Sequence, residues 1–385
     1  MRKDFLPFSR PSFGEAEIAE VVDTIRSGWV TTGPKTQRFE TACRDYLGAE
    51  HAVAVSSCTA GLHLGLQVLG IGPGDEVIVP TMTFCSCVNV VVHSGAEPVV
   101  VDCREDFTID PDAVRAAITP RTRAIMPVHY AGLPCAMDEL TAIAAEHDLA
   151  MIEDAAHAIG AEYRGERIGS NSRLAVFSFY ATKNLTTGEG GLVVSNEAKL
   201  ADRVRHLSLH GMDRDAWKRY TAQGSWYYEV TDAGYKYNFT DLQAALGLPQ
   251  LARLDDFIAR RTELAERYRA ALGGRDDLAL PEPGTDVRHA WHLFVIRPDF
   301  DRLTIDRAEF INRLREMNIG TSVHFIPIHR HPFYSTRESS TRHRCPVADT
   351  LFDRIISLPL YPAMTDRDLD DVTAAVVAIL ESARR

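Results

Sequence analysis

The chain reads Phe177-Ser178-Phe179-Tyr180-Ala181-Thr182-Lys183-Asn184 and continues, three residues later, with Gly188-Glu189-Gly190-Gly191. A lysine therefore ends an apolar, aromatic, strand-like run and precedes a glycine cluster. Burial and a nearby cation would lower the pKa of such a lysine, and a neutral amine at pH 7 is a nucleophile for aldehydes. Taken alone, Lys183 is more simply explained as an ordinary loop lysine.

An acidic residue after an earlier strand changes that interpretation. Ala150-Met151-Ile152-Glu153 is typical of the end of a buried strand, and Asp154 follows at its carboxyl end, 29 residues before Lys183. A pyridoxal phosphate enzyme needs those two groups: a lysine that forms a Schiff base, and a carboxylate that keeps the pyridine nitrogen protonated. The pair therefore predicts a pyridoxal phosphate site.

The composition indicates a globular protein and argues against several function classes. A chain of 385 residues with 45% hydrophobic content can bury a large core, and its length favours two domains. The net charge of −11 argues against non-specific nucleic-acid binding. No run approaches the ~18 apolar residues of a membrane span, and the N-terminus lacks the apolar core of a signal peptide. Seven cysteines without a disulfide-like framework fit a reducing cytoplasm.

Helical and strand patterns alternate through the first two thirds of the chain. Near-continuous valine and isoleucine runs separated by helices predict an α/β fold with a mostly parallel sheet covered on both faces. Strand patterns cover residues 51–56, 76–80, 97–101 and 123–127, and helical patterns cover residues 14–27, 59–69, 110–118 and 138–147.

The last third of the chain predicts a second domain. A long helical pattern runs from about residue 238 to 272, and the boundary between domains 1–250 and 251–385 is placed inside it. Further patterns predict strands at 291–296 and 322–325 and helices at 310–317 and 372–383.

Three further patterns each allow two explanations. Residues 56–61 join a strand to a helix through small residues, which is the geometry that holds a phosphate, but any tight turn looks similar. His324, His329 and His331 lack the spacing of a zinc site, so structural or substrate-contact histidines are favoured over a metal site. The basic loop at 337–344 is either solvated surface or a contact for a diphosphate.

Several sequence blocks are shared with one known family. They are Ser27-Gly28-Trp29-Val30-Thr31-Thr32-Gly33-Pro34, Pro127-Val128-His129-Tyr130-Ala131-Gly132, Glu153-Asp154-Ala155-Ala156-His157-Ala158, Lys183 with Gly188-Glu189-Gly190-Gly191, and Gly234-Tyr235-Lys236-Tyr237-Asn238. On these blocks, essentially the whole chain resembles the DegT/StrS family of fold-type I, pyridoxal phosphate-dependent sugar aminotransferases. Several of them, the last especially, are most similar to the enzymes that form UDP-4-amino-4-deoxy-L-arabinose. The resemblance implies a large domain with a mostly parallel seven-stranded sheet and a smaller C-terminal α+β domain.

The resemblance also implies roles for individual residues around the cofactor. Lys183 is expected to carry the Schiff base, and Asp154 is expected to pair with the pyridine nitrogen. The remaining cofactor contacts that it implies are Thr59, Ala60 and Ser178 on the phosphate, Phe84 on the face of the ring, and His157 on the phenolic oxygen.

The block at 234–238 departs from the commoner family form Gly-Tyr-Asn-Tyr-Arg, since Lys236 and Asn238 replace asparagine and arginine. In the common form, that asparagine reaches the cofactor phosphate of the neighbouring subunit. Either Lys236 or Asn238 could do so here, and Asn238 is favoured because family members that share Lys236 also keep it. Such sharing implies an obligate homodimer with two active sites at its interface. The substrate contacts expected from the resemblance are Trp29, Glu189, Lys236, His324, His329 and Tyr334.

The implied reaction moves an amino group from L-glutamate, which becomes 2-oxoglutarate, to a keto nucleotide sugar, with a 4-keto sugar favoured. Its product would enter polysaccharide or glycosylated-metabolite synthesis in the cytoplasm, with no metal, nucleic acid or membrane involved. One alternative is a sugar dehydratase, although that branch has histidine in place of the lysine. The other is a non-catalytic, cofactor-binding regulator. The sequence leaves open the nucleotide, the sugar, and amination at C3 or C4.

Overall fold

The structure is a computed structural model that describes residues 2–212 and 227–385. Its helices are α1 Glu15–Ser27, α2 Pro34–Leu47, α3 Cys58–Val68, α4 Ser86–His93, α5 Pro111–Ala117, α6 Met137–Glu146, α7 Ala198–Ser208, α8 Asp241–Ala252, α9 Leu254–Leu272, α10 Arg307–Glu316, α11 Pro332–Ser335, α12 Glu338–Thr341, α13 Pro346–Phe352 and α14 Asp366–Ser382. Its strands are β1 His51–Val55, β2 Glu76–Pro80, β3 Glu97–Val101, β4 Thr122–Ile125, β5 Ala150–Met151, β6 Glu153–Asp154, β7 Glu162–Tyr163, β8 Glu166–Arg167, β9 Ala175–Ser178, β10 Gly191–Ser195, β11 Leu278–Ala279, β12 Val287–Arg288, β13 Phe294–Pro298 and β14 Ile356–Leu358.

The central sheet consists of two four-stranded halves that are joined through the consecutive strands β5 and β6. The strand orders of the two halves are β3-β2-β4-β5 and β1-β10-β9-β6. Strands β5 and β6 are consecutive, and Ile152 N and Asp154 N donate across to Ile125 O and Pro127 O at 3.0 and 2.9 Å. Strand β10 alone runs antiparallel to its neighbours in this sheet. The predicted seven-stranded, mostly parallel sheet is therefore confirmed.

Alternate residues of each strand enter different cores, as the two-residue period of a strand requires. In β2, Val77 and Val79 pack with α3 and α4, whereas Ile78 packs with α5 and α6 on the other face. Every residue of β2 and of β10 is buried. A sheet that is covered on both faces explains why its strands appear in the sequence as continuous apolar runs.

Residues of three predicted roles follow the carboxyl ends of strands that point the same way. Ser57 follows β1 and caps α3, Asp154 ends β6, and Lys183 lies in the turn after β9. Because parallel strands end at one edge of their sheet, these residues are brought to the same side of the molecule. The opposite edge carries the amino ends of β2 and β3.

A second core lies in the C-terminal part of the chain. It packs α9, α10 and α14 against the antiparallel strands β11, β13 and β14. Leu6 from the N-terminal segment also belongs to this core, because its N–H donates to Asn318 O and its carbonyl accepts from Gly320 N, both at 2.8 Å. The predicted boundary near residue 250 falls inside α8, and the division into domains 1–250 and 251–385 stays a prediction.

Two element predictions for the last third of the chain were wrong in detail. Residues 322–325 form no strand, and only Ser322 makes a backbone bridge to β14, at Ser357, where His324 Nδ1 also lies 2.8 Å from Ser357 Oγ. The chain then turns, since His324 O accepts from the Tyr130 hydroxyl and the His324 ring packs 5.3 Å from the Phe8 ring. Helix α14 begins six residues before the predicted start, because Thr365 and Asp368 form a capping box there.

Candidate active site

A cavity of about 600 Å³ opens at the carboxyl ends of the sheet strands. The predicted residues that line it are Thr59, Phe84, Asp154, His157, Ser178, Lys183, Glu189 and His324. These residues come from six separate stretches of sequence, so their convergence is a result of the fold. The cavity is therefore the place where the predicted site residues meet.

Lys183 is half-buried and lines this cavity. A turn closed by Lys183 N donating to Tyr180 O at 2.9 Å places it there, and Asn184 Nδ2 fixes the following loop by donating to Ala290 O at 2.6 Å. Burial lowers the pKa of Lys183 from 10.5 to about 8, although the nearby negative charge of Asp154 opposes the change. The neutral fraction at pH 7 accordingly rises from about 0.03% to about 10%. The expected nearby cation is not the cause; burial is.

The carboxylate of Asp154 is buried, with one close donor on each oxygen. Oδ1 accepts from Ala156 N at 2.9 Å, and Oδ2 accepts from the thiol of Cys87 at 2.7 Å. The two donors fix the orientation of the carboxylate. It can therefore stabilise a proton on a neighbouring ring nitrogen.

Three imidazoles surround the lysine, and burial keeps all of them neutral. His157 Nδ1 accepts from Ala131 N at 3.2 Å, so in the neutral ring its proton lies on Nε2. Burial, and then repulsion from Lys183, lower the pKa of His157 far below its usual value and that of His324 to about 4. His292, which sequence reasoning missed, stacks 4.3 Å from His157 with its Nδ1 buried and unpaired among the described residues. Its strand-like neighbours in the sequence gave no signal of a site.

The start of α3 forms the other end of the cavity. Ser57 Oγ accepts from Ala60 N at 3.0 Å, and a Cβ on Gly191 would lie only 2.6 Å from Cys58 N. The glycine of β10 thus lets that strand pass directly beneath the first turn of the helix. Free N–H groups at such a helix start attract an anion. Ala60 itself does not line the cavity, and its predicted contact with a phosphate stays a prediction.

These features match the chemical parts of pyridoxal phosphate. The cavity holds a desolvated amine, a fixed buried carboxylate and a helix start suited to a phosphate. The Phe84 ring, which is 56% exposed, also offers a flat apolar face to an aromatic ligand. Residues of the predicted types are therefore in place for each part of that molecule.

Besides Ala60, five predicted residues do not line the cavity of their own chain. Lys236 is exposed. Trp29 and Asn238 both bind Thr32: its carbonyl accepts from Trp29 Nε1 at 3.0 Å, and its Oγ1 accepts from Asn238 Nδ2 at 2.8 Å. His329 uses both ring nitrogens within the protein, on Thr81 Oγ1 and on Asp349 Oδ1. The hydroxyl of Tyr334 is bonded to Asn89. Their predicted ligand contacts stay predictions.

The basic loop lies at the opposite edge of the sheet. Arg342 Nη1 is 3.1 Å from the buried carboxylate of Glu76, which begins β2, and Arg337 Nη1 is 3.7 Å from Glu97, which begins β3. These ion pairs hold α12 against the amino ends of the strands. Because the cavity opens at their carboxyl ends, this geometry favours a structural role for the loop over a diphosphate contact.

Across residues 2–212 and 227–385, no three His, Cys, Asp or Glu side chains are grouped so that they could hold a metal ion. No helix in the same ranges is long and apolar enough to cross a membrane.

Comparison with known proteins points to one family. The sequence profile of the DegT/DnrJ/EryC1/StrS aminotransferase family matches residues 11–377. Spore coat polysaccharide biosynthesis protein SpsC of Bacillus subtilis (strain 168) is 51% identical over 384 residues, covering 99% of this chain and 99% of that protein. The PMP form of putative sugar aminotransferase Spr1654 from Streptococcus pneumoniae has a TM-score of 0.91 at 35% identity, covering 98% of this chain and 99% of that one. Helicobacter pylori PseC, an aminotransferase involved in the biosynthesis of pseudoaminic acid, has a TM-score of 0.92 at 26% identity, covering 99% and 100%.

Proposed function

This chain belongs to the DegT/DnrJ/EryC1/StrS family of pyridoxal phosphate-dependent aminotransferases, and we propose that it transfers an amino group from L-glutamate to a keto nucleotide sugar. The observation that carries the proposal is the Lys183 amine, whose pKa is lowered to about 8 in the same cavity as the buried carboxylate of Asp154. A solvated lysine with its ordinary pKa would be a poor nucleophile at pH 7.

Each residue near the lysine has a distinct task in this proposal. Lys183 anchors the cofactor covalently, and Asp154 holds the proton on its ring nitrogen. His157 donates from Nε2 to the phenolic oxygen, since its Nδ1 is already occupied by Ala131 N. The start of α3, with Thr59 and Ser178, holds the phosphate.

The chemical step requires proton transfer at a carbon. Pyridoxal phosphate, when bound, is an electron sink that stabilises the negative charge left at that carbon. After the amino donor displaces it, Lys183 Nζ removes the proton from the donor's α-carbon and returns one to the sugar carbon that receives the amine. Its lowered pKa suits both directions of transfer.

The substrate proposal is a 4-keto nucleotide sugar. The sequence block at 234–238 resembles the enzymes that aminate a UDP-linked 4-keto pentose, and SpsC is named for the biosynthesis of a spore coat polysaccharide. Glu189 and His324 line the cavity and are the proposed contacts for the sugar. All seven cysteines are free thiols, which supports the proposed cytoplasmic location.

The proposed assembly is a homodimer that shares its active sites. Ile18, Val22 and Ile25 form an apolar side of α1 that is exposed in the single chain, while the buried positions of this helix are Glu17 and Thr24. A second copy that covers this side would remove the apolar surface from water. Trp29, Lys236 and Asn238 lie outside their own cavity, and in this proposal their segments reach the partner's cavity.

The covalent anchor gives the direct test of the proposed function. Borohydride reduction of the yellow, cofactor-loaded protein should fix the cofactor to Lys183, as peptide mapping would detect. A reduced adduct on Lys199 or Lys236 would contradict the assignment. A mass-spectrometric screen of 4-keto and 3-keto nucleotide sugars with glutamate should then give an aminated 4-keto sugar. A loaded enzyme that aminates none of them would contradict the substrate proposal.

A further inference from the structure

Two buried thiols lie against Asp154, and the proposed mechanism uses neither of them. Cys87 is the second residue of α4, and its Sγ is 2.7 Å from Asp154 Oδ2. Cys58 begins α3, and its Sγ is 3.9 Å from Oδ1 and 3.6 Å from Val176 O. One thiol therefore contacts the carboxylate closely, whereas the other has a nearer acceptor elsewhere.

The direction of the close hydrogen bond follows from its chemistry. An ionised carboxylate only accepts, so the proton lies on Cys87 Sγ. Burial, and then the charge of Asp154, raise the pKa of the Cys87 thiol well above its usual value, which keeps that proton in place. Thr83 Oγ1 lies 3.1 Å from the same sulfur and donates to it, since the thiol proton is already used. The result is a relay from the Thr83 hydroxyl through the Cys87 thiol to Asp154 Oδ2.

This relay comes from the same connection that carries Phe84. The chain leaves β2 at Pro80, passes through Thr83 and Phe84, and enters α4, where Cys87 is fully buried. Phe84 and the donor to the carboxylate, Cys87, are thus three residues apart. Together with Ala156 N on Oδ1, the thiol leaves the carboxylate no freedom to rotate without breaking a hydrogen bond.

We propose that Cys87 is a positioning residue for the transamination: its thiol, oriented by Thr83, fixes the carboxylate of Asp154 where it holds the proton on the cofactor's ring nitrogen. The inference rests on the proposed role of Asp154 in binding pyridoxal phosphate. Removing the thiol would free Oδ2 and weaken the hold of Asp154 on that proton. A serine hydroxyl at this position would preserve it, because it donates in the same way.

The test uses the cofactor-loaded protein and two readouts other than activity. Cys87→Ala should raise the dissociation constant of pyridoxal phosphate roughly three- to tenfold, and tenfold corresponds to about 1.4 kcal/mol. It should also raise, by about half a unit, the pH midpoint at which the cofactor's visible absorption changes. A less firmly held ring proton withdraws less electron density from the Lys183 nitrogen, so that nitrogen keeps its own proton to a higher pH. Cys87→Ser should restore both values. Cys43→Ala, which deletes a fully buried thiol of α2 instead, should change neither.

A second variant keeps the inference open to refutation if Cys87→Ala does not fold. Thr83→Val removes the hydroxyl at the start of the relay with little change of shape, and should move the midpoint in the same direction by less. Unchanged values in both Cys87→Ala and Thr83→Val, or a serine variant as impaired as the alanine variant, would overturn the positioning role. Borohydride trapping at Lys183 in the unaltered protein is scored separately. Its failure contradicts the proposed function, whereas successful trapping with unchanged values in Cys87→Ala and Thr83→Val contradicts this inference alone.

Discussion

Replacing Lys183 by methionine should make the cofactor-free protein more stable. In the folded chain the ammonium is desolvated, and its pKa is about 8 against the ordinary lysine value of 10.5. At about 1.4 kcal/mol per pKa unit, holding the lysine protonated costs the folded state about 3 kcal/mol at pH 7. Methionine has a similar length and no charge, so the free energy of unfolding should rise by about that amount.

The pH dependence of this gain has a definite sign. The folded pKa is lower than the unfolded one, so the folded state binds fewer protons between pH 8 and 10.5. The cost is therefore complete below about pH 8 and disappears as the pH rises towards the unfolded value. At pH 10 the advantage of Lys183→Met should fall below about 1 kcal/mol.

Urea denaturation of the cofactor-free protein measures both values. The protomer concentration must be the same throughout, because dimerisation adds a concentration-dependent term. Lys199→Met, on the exposed side of α7, serves as the matched control and should change stability little at either pH. Equal stability of Lys183→Met and the unaltered protein at pH 7 would refute the desolvation argument. A gain that persists undiminished at pH 10 would do so as well.

Three further outcomes are expected. Asp154→Asn keeps the shape of the side chain but loses its charge, so kcat should fall at least about a hundredfold while cofactor binding weakens modestly. A near-normal kcat would leave the carboxylate only a structural role. When Lys183→Ala subunits are mixed with Asn238→Ala subunits, up to about a quarter of the activity should return, because each mixed dimer has one intact site. No recovery, although subunit exchange is demonstrated, would exclude active sites shared between subunits. Arg342→Ala should lower the free energy of unfolding by about 1–2 kcal/mol, because it removes one partner of the buried Glu76 carboxylate, and should leave the KM for the sugar unchanged. A raised KM with unchanged stability would favour contact between the basic loop and the substrate's diphosphate.

The sequence predicted the sheet and the central chemistry because both leave local signals. A parallel sheet buried on both faces requires continuous apolar runs, and Asp154 and Lys183 follow such runs directly. The start of α3 was recognisable for a similar reason, since small residues between a strand and a helix mark a close approach. These features depend on neighbours in the sequence.

What the sequence did not reveal depends on contacts between distant segments. Cys87 and His292 reach the site only because α4 and the stretch before β13 converge there, and neither has a distinctive neighbourhood in the chain. Residues 322–325 have the composition of a strand but are drawn away after one bridge by Tyr130 and Phe8. Tertiary packing decided these cases over local preference.

The docking of the N-terminal segment sets an order of events during synthesis. Leu6 lies between Asn318 and Gly320, more than 300 residues later in the chain, and Phe8 lines the cavity beside His324. At a translation rate of about 5–20 residues per second, the first residues wait about 15 to 60 s on the ribosome before their partners emerge. The cavity wall is therefore finished only after residues 318–324 have emerged, and a shorter nascent chain cannot hold its ligands in the way the folded protein does.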